Sequence, residues 1–236
     1  MSKTLGILAG LGPLAGAHFY RRLIELTPAD DDSEHLSVVL ISESRIPSRL
    51  AHLEGRGPSP LGALTSTASR LVAAGAEVIV IPSTTTHAYY DNIAAHVSVP
   101  VLNLIELVAD DIVRHSYRRV AIVATSPTRQ YGLYDTAFRK RGVEAIYPDP
   151  TSQKEIMAII QGVKSTGNQP AWGERLLDVM SENWATEADG IVLACTETPV
   201  AFQTVSASLA HEIRVIDATD ILAKRAIAVC TGDAIS

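Results

Sequence analysis

Two short stretches carry reactive side chains at the ends of apolar runs. In AEVIVIPSTTTHAYYDN, residues 76–92, a run that reads as a buried strand gives way to Ser83, Thr84, Thr85 and Thr86, and then to His87. In GIVLACTETP, residues 190–199, a second run ends in Cys195, followed by Thr196, Glu197 and Thr198. A thiol placed there can work as an acid, a base or a nucleophile. Its reactive form is the thiolate, which a helix starting near Thr198 or Pro199 would favour through the partial positive charge of its N-terminus. The polar TET after Cys195 speaks against inert packing, whereas Cys230, in the apolar stretch ILAKRAIAVC, reads as core.

Other chemistries fit the spacing less well. Ser83, His87 and Asp91 lie four residues apart and could share a helix face as a hydrolytic triad, but the nucleophile pattern G-x-S-x-G is absent. His87, one turn into a helix, reads instead as a hydrogen-bonded support. In the opening loop LAGLGPLAGAHFY the glycines Gly10, Gly12 and Gly16 do not form G-x-G-x-x-G, and no acidic residue closes the second strand. That loop fits a tight strand-to-helix turn whose backbone N–H groups face a small anion. The stretch ATSPTRQYG, residues 124–132, offers Thr125, Ser126 and Thr128 at a second such turn. Two loops of this kind suit carboxylates. The seven histidines lack H-E-x-x-H or H-x-x-E-H spacing, and two cysteines cannot build a disulfide framework or a Cys-rich zinc site, so neither metal nor cofactor is expected.

These residues must be positioned by regular elements, and the pattern of those is legible. Apolar runs recur at residues 5–10, 36–42, 77–82, 119–125, 190–194 and 213–217, with longer amphipathic segments between them, the signature of βαβ units around parallel sheets. Between Pro60 and Gly75, the spacing of Leu61, Leu64, Ala68 and Leu71 predicts a helix feeding one of those strands. The halves also resemble each other. Leu5, Ile7, Leu8 and Ala9 match Val120, Ile122, Val123 and Ala124 at an offset of 115, Tyr20 matches Tyr134, and AEVIVIPST matches ADGIVLACT at an offset of 112. Ser83 then falls opposite Cys195. The expected fold class is α/β, with two pseudo-symmetric parallel-sheet halves and the active site in the cleft between them. The expected boundaries are residues 1–103 plus 213–236 for the first half and 104–212 for the second, and only the tail TGDAIS need not pack.

Bulk composition limits the function classes. The chain has 236 residues, 47% apolar and 19% charged, with a formal charge of -6 and no clustered basic surface, which excludes a nucleic-acid partner. No apolar stretch reaches the roughly 18 residues of a membrane span and no secretory leader is apparent, so the expected location is cytoplasmic. Assembly is left open between monomer and homodimer.

In their order and spacing, GILAGLGPLAGAHFY, IPSRLAHL, IPSTTTH, ATSPT through GLY, VKSTG and LACTETP resemble the aspartate/glutamate racemase superfamily, closest to its cofactor-independent aspartate racemase branch, over nearly the whole chain. The resemblance implies two pseudo-symmetric α/β halves, no pyridoxal phosphate and no metal, and two cysteines, one per half, flanking the substrate α-carbon. Carried over by motif, Cys195 is the second-half acid/base group, and Ser83 occupies the place of the first-half cysteine. Arg49 and Lys164 match the residues that bind substrate carboxylates. Gly10, Thr84, Thr85, Thr125, Ser126, Thr128 and Thr196 line the substrate, with His87 and Glu197 behind the catalytic groups. The implied activity is racemisation or epimerisation of a dicarboxylic amino acid such as aspartate or glutamate, with a preference for one enantiomer. A single-cysteine decarboxylase or isomerase of the same superfamily and a non-catalytic carboxylate-binding relative are the alternatives.

Overall fold

A computed structural model describes residues 2–206 and 214–232. The chain divides into two compact units, Met1–Leu107 with Thr219–Ser236, and Val108–Ala218. The first unit contains β1 (Leu5–Ala9), α1 (Pro13–Leu26), β2 (Val38–Ser42), α2 (Arg49–Leu53), α3 (Leu61–Ala73), β3 (Val78–Val80), a 3-10 turn at Thr84–Tyr89 and α4 (Tyr90–His96). Helix α5 (Leu104–Arg114) carries the chain into the second unit. There follow β4 (Arg119–Val123), α6 (Ser126–Gln130), α7 (Asp135–Arg139), β5 (Glu144–Ile146), α8 (Pro150–Thr166), α9 (Pro170–Met180), α10 (Asn183–Thr186), β6 (Gly190–Leu193), α11 (Thr198–Phe202) and β7 (Val215–Asp217). The chain then returns through α12 (Ala218–Thr231).

Both sheets are parallel and share one strand plan. The first has the order β2-β1-β3 and the second β5-β4-β6-β7, so the central strand of each sheet opens its unit and the later strands add on either side. Registers run from Leu5 opposite Val38 and Val78 in the first sheet, and from Val120 opposite Ala145 and Gly190 in the second. Strands β1, β3 and β6 are buried along their whole length, because helices cover both faces of a parallel sheet. In the first unit Leu64, Leu71, Ile79, Ile81 and Ile93 form one apolar cluster. In the second, Ile156, Ile159, Leu176, Ile191 and Leu193 form another, which also takes in Cys195. Fully burying each such aliphatic side chain contributes about 1.5–3 kcal/mol.

The expected boundaries need correction. Crossing between units occurs within α5, after Leu107 instead of at 103, because a continuous helix makes the connection. The return expected at 212/213 falls on residues outside the described ones, as does Ile213. Strand β7 pairs with β6, Val215 opposite Ile191, so it completes the second sheet, and the first unit resumes only at Thr219. The described residues of α12 are tied to the first unit by a two-pronged ion pair, in which Arg22 Nε and Nη2 each donate to Asp220 at 2.7 Å, and by Lys3 N–H donating to the Cys230 carbonyl at 2.8 Å. Cys230 is buried, in keeping with packing. Of the tail TGDAIS, residues 233–236 lie outside the described residues. Strand β5 was not foreseen, since its residues are exposed at Glu144 and only partly buried at Ala145 and Ile146, and form no apolar run.

Gly10 illustrates how the first strand hands over to α1. Its φ is +89°, and a Cβ there would stand 2.5 Å from the backbone nitrogen of Glu43, which donates to the Ala9 carbonyl at 3.2 Å. The glycine therefore lets the loop after β2 lie directly on the loop after β1. Substituting Gly10→Ala should cost roughly 2–4 kcal/mol of stability, from backbone strain plus displacement of Glu43. Urea unfolding is the measurement; an unchanged midpoint would show that the turn tolerates a side chain.

Candidate active site

In the first unit the strand-tip hydroxyls are buried. Ser83 through Thr86 follow β3, each no more than 6% exposed, and His87 is 7% exposed. A 3-10 turn forms here because the Ser83 carbonyl accepts from Thr86 N–H at 3.2 Å. His87 sits within hydrogen-bond distance of two backbone groups. Its Nε2 accepts from Leu104 N–H at 3.0 Å, so Nδ1 carries the proton and donates to the Ser83 carbonyl at 3.0 Å. Burial pushes its pKa down to about 4, so the ring is neutral at pH 7. Both ring nitrogens are committed to backbone, which makes His87 a pin between the β3 tip and α5. The hydroxyl of Ser83 accepts instead from Thr86 Oγ1 at 2.8 Å. Thr86 is a residue that the motif reading left out of the site; the three-residue spacing within a turn after a strand was the available signal. Thr84 Oγ1 is buried without a hydrogen-bond partner among the described residues.

Arg49 opens α2 behind Ser48, whose hydroxyl caps the helix. Its guanidinium donates through Nη1 to the carbonyls of Pro47 at 3.0 Å and Ile46 at 3.3 Å, and through Nη2 to that of Leu11 at 2.9 Å. The fork expected to meet a substrate carboxylate thus fastens the loop after β2 to the loop after β1, the same two loops that Gly10 brings together.

The second unit supplies the thiol. Cys195 follows β6 at 6% exposure, with Thr196, Glu197 and Thr198 buried beside it. The Cys195 carbonyl accepts from Thr198 N–H at 2.9 Å and from Thr198 Oγ1 at 2.7 Å, which fixes the backbone at the start of α11. Cys195 Sγ donates to Glu197 Oε2 at 3.1 Å, and Lys164 Nζ, from the last turn of α8, lies 3.6 Å from Glu197 Oε1. Thiol, carboxylate and ammonium form one chain. Burial first, and the Glu197 carboxylate second, push the thiol well above its ordinary range, while Lys164 pulls it down. The expected lowering by a helix N-terminus is therefore overturned: α11 has only five residues, and desolvation of the thiolate outweighs it. At the loop after β4, Thr125 and Thr128 are buried and paired through their hydroxyls at 2.9 Å, with Ser126 half-buried beside them.

Residues 8–226 match the profile of the family described as Asp/Glu/Hydantoin racemase. The chain belongs to that family. As a member it is an amino-acid racemase, an isomerase. Among relatives, the chain is 26% identical over 230 residues to the broad specificity amino-acid racemase RacX of Bacillus subtilis (strain 168), covering 94% of this chain and 96% of that one. Among solved structures it is similar to an aspartate racemase of Picrophilus torridus, with a TM-score of 0.86 and 27% identity, covering 99% of this chain and 96% of the other. An aspartate racemase homologue from Pyrococcus horikoshii OT3, at 24% identity and a TM-score of 0.74 over 97% of this chain and 99% of the other, has the same fold. Among the described residues, no helix is long and apolar enough to cross a membrane.

Two pH effects follow. Removing the ammonium in Lys164→Met takes away the charge that lowers the Cys195 pKa, so residue-resolved alkylation of Cys195 should rise at higher pH than in the parent. An unshifted alkylation profile would sever Lys164 from the thiol. For His87 the folded pKa, about 4, lies below the unfolded value of 6.5, so its contribution to stability is complete above pH 6.5 and is lost as pH falls through 4. The amount is about 3 kcal/mol. His87→Gln, which cannot titrate, should therefore show a shallower loss of stability across that window, measured by urea unfolding at a series of pH values; equal slopes would contradict the buried neutral ring.

Proposed function

We propose that this chain is a pyridoxal-phosphate-independent racemase that inverts the α-carbon of a dicarboxylic amino acid such as aspartate or glutamate, with Cys195 as its principal acid/base group. The observation that carries the reading is the buried contact of Cys195 with Glu197, itself paired with Lys164. A buried thiol above its ordinary pKa makes a poor base unless its proton has somewhere to go, and Glu197 Oε2 is an acceptor already in place. Once the proton has passed to that carboxylate, the thiolate removes the α-hydrogen. The electron pair left on carbon delocalises into the substrate carboxylate. Ser83 supplies a proton to the opposite face, where the family resemblance places a second cysteine. Thr84, with its unpartnered buried hydroxyl, and the loop of Thr125, Ser126 and Thr128 are suited to hold the substrate carboxylate.

Because a serine hydroxyl is far less acidic than a thiol, the two walls are unequal, and abstraction from the Ser83 side is slow. In deuterated buffer, α-hydrogen exchange followed by NMR should be much faster for one enantiomer. Cys195→Ser should reduce it by about 100-fold or more, the scale of general acid/base catalysis. Equal exchange of both enantiomers by the parent would contradict the asymmetry, and full activity in Cys195→Ser would remove the thiol from the mechanism.

A second reading of the substrate is favoured by Arg49. Its fork engages three backbone carbonyls, and Lys164 engages Glu197, so neither cation is held ready for a side-chain carboxylate. On this reading, neutral amino acids are also accepted. Running the exchange assay with alanine, leucine and methionine beside aspartate and glutamate separates the two: exchange confined to the dicarboxylates supports the first reading, and comparable rates support the second.

A further inference from the structure

We propose that Thr86 is a positioning residue that fixes the Ser83 hydroxyl as a proton donor, so that the resting Ser83 wall gives a proton to carbon far more readily than it takes one. The inference rests on the reading above, in which Ser83 protonates the substrate carbon. It starts from an asymmetry in one buried pair. Thr86 is 0% exposed, and its Oγ1 donates to Ser83 Oγ at 2.8 Å. No other acceptor for Thr86 Oγ1 is present among the described residues, whereas Ser83 keeps 6% exposure, so the wholly buried Thr86 proton goes to Ser83 and the Ser83 proton is the one left for a ligand or solvent. The Ser83 oxygen is thereby the acceptor, and its own proton has no acceptor among the described residues.

Among the described residues, no base stands behind Ser83 to reverse that arrangement. His87, the neighbouring titratable group, contacts the Ser83 carbonyl and not its hydroxyl, and its other nitrogen is held by Leu104 N–H. The histidine therefore cannot draw a proton from Ser83 Oγ. A carbanion is a stronger base than an alkoxide, so transfer from Ser83 to carbon runs downhill. In that step the Ser83 O–H bond breaks, the electron pair on the α-carbon forms the new C–H bond, and the negative charge passes to Ser83 Oγ. There the Thr86 hydroxyl, already donating, stabilises it, as a hydrogen bond to the charged form does. Solvent water then returns a proton to Ser83, and the proton first given by Cys195 to Glu197 returns to the solvent.

The test uses D- and L-aspartate with the parent, Thr86→Val and Thr86→Ser. Two rates are measured on each protein: α-hydrogen exchange of the faster enantiomer in deuterated buffer, which needs only the Cys195 side, and net inversion by chiral chromatography, which needs Ser83. Thr86→Val keeps the shape and removes the hydroxyl. It should lower the ratio of inversion to exchange by about 10-fold, the worth of a hydrogen bond to a charged oxygen, mainly in kcat with little change in KM. Thr86→Ser, which restores the hydroxyl, should return the ratio to within about 3-fold of the parent. Exchange serves as the control for folding. An unchanged ratio in Thr86→Val, a parallel loss of both rates, or a Thr86→Ser variant no better than Thr86→Val would each overturn the assignment. A parent that exchanges no α-hydrogen of aspartate, glutamate, alanine or methionine overturns the racemase reading itself.

Discussion

Parallel strand pairing is the constraint on which the rest depends. When all strands of a sheet run in one direction, their carboxyl ends share an edge, and every loop that leaves that edge is brought near the others without further contrivance. In the first unit the loops after β1, β2 and β3 carry Gly10, Arg49 and Ser83; in the second, the loops after β4 and β6 carry Thr125 and Cys195. Both units keep the opening strand in the middle, so equivalent strand tips lie at equivalent places in the two sheets. The hydrogen-bonded edges of the sheets fix these loops, and the side chains then settle them. Arg49 joins two of the loops through carbonyls, and His87 joins a third to α5.

The two strand tips solve opposite electrostatic problems. At Cys195 the difficulty is to remove a proton from a buried group, and the remedy is a carboxylate at hydrogen-bond distance whose charge is balanced by Lys164. The carboxylate raises the thiol pKa and stands at hydrogen-bond distance; on the proposed mechanism it receives the thiol proton, so that ionisation becomes a transfer within the protein instead of a loss to solvent. At Ser83, among the described residues, the hydroxyl meets no carboxylate but another hydroxyl, with a neutral ring nearby that is committed elsewhere. Uncharged groups of this kind can steady a negative charge once formed. They do not create one.

Much of this was legible in the sequence, for reasons that can be traced. The runs at β1, β3, β4 and β6 announce themselves because a strand covered on both faces must be apolar throughout. The offset of 112 between the β3 and β6 tips marked Ser83 and Cys195 together, and the shared strand order agrees with it. Tyr20 and Tyr134, also paired by the offset, part company in burial: the first is 40% exposed and the second wholly buried, so the repeat fixes chain order more firmly than environment. Strand β5 escaped because a partly exposed edge strand need not be apolar. The allegiance of β7 escaped because VID fits either sheet equally well. The partnership of Lys164 with Glu197 depends on how the end of α8 lies beside the β6 tip, which packing decides and no local pattern encodes. The ionisation of Cys195 was misjudged because burial, a property of the folded whole, exceeds the influence of a short helix.

The first unit is discontinuous: α12, which follows the entire second unit in the chain, is bound back to it by Arg22 with Asp220 and by Lys3 with Cys230. Synthesis on the ribosome runs from the N-terminus and delivers roughly 5–20 residues per second. The second unit is therefore available as one uninterrupted segment before the first has received its closing helix. During that interval the surface of α1 that will take α12 is bare, and Arg22 has only Glu25 of its own helix as counter-charge. Maturation of the chain is thus gated from its later part, and a truncation that spares every candidate catalytic residue but removes α12 leaves the first unit unfinished.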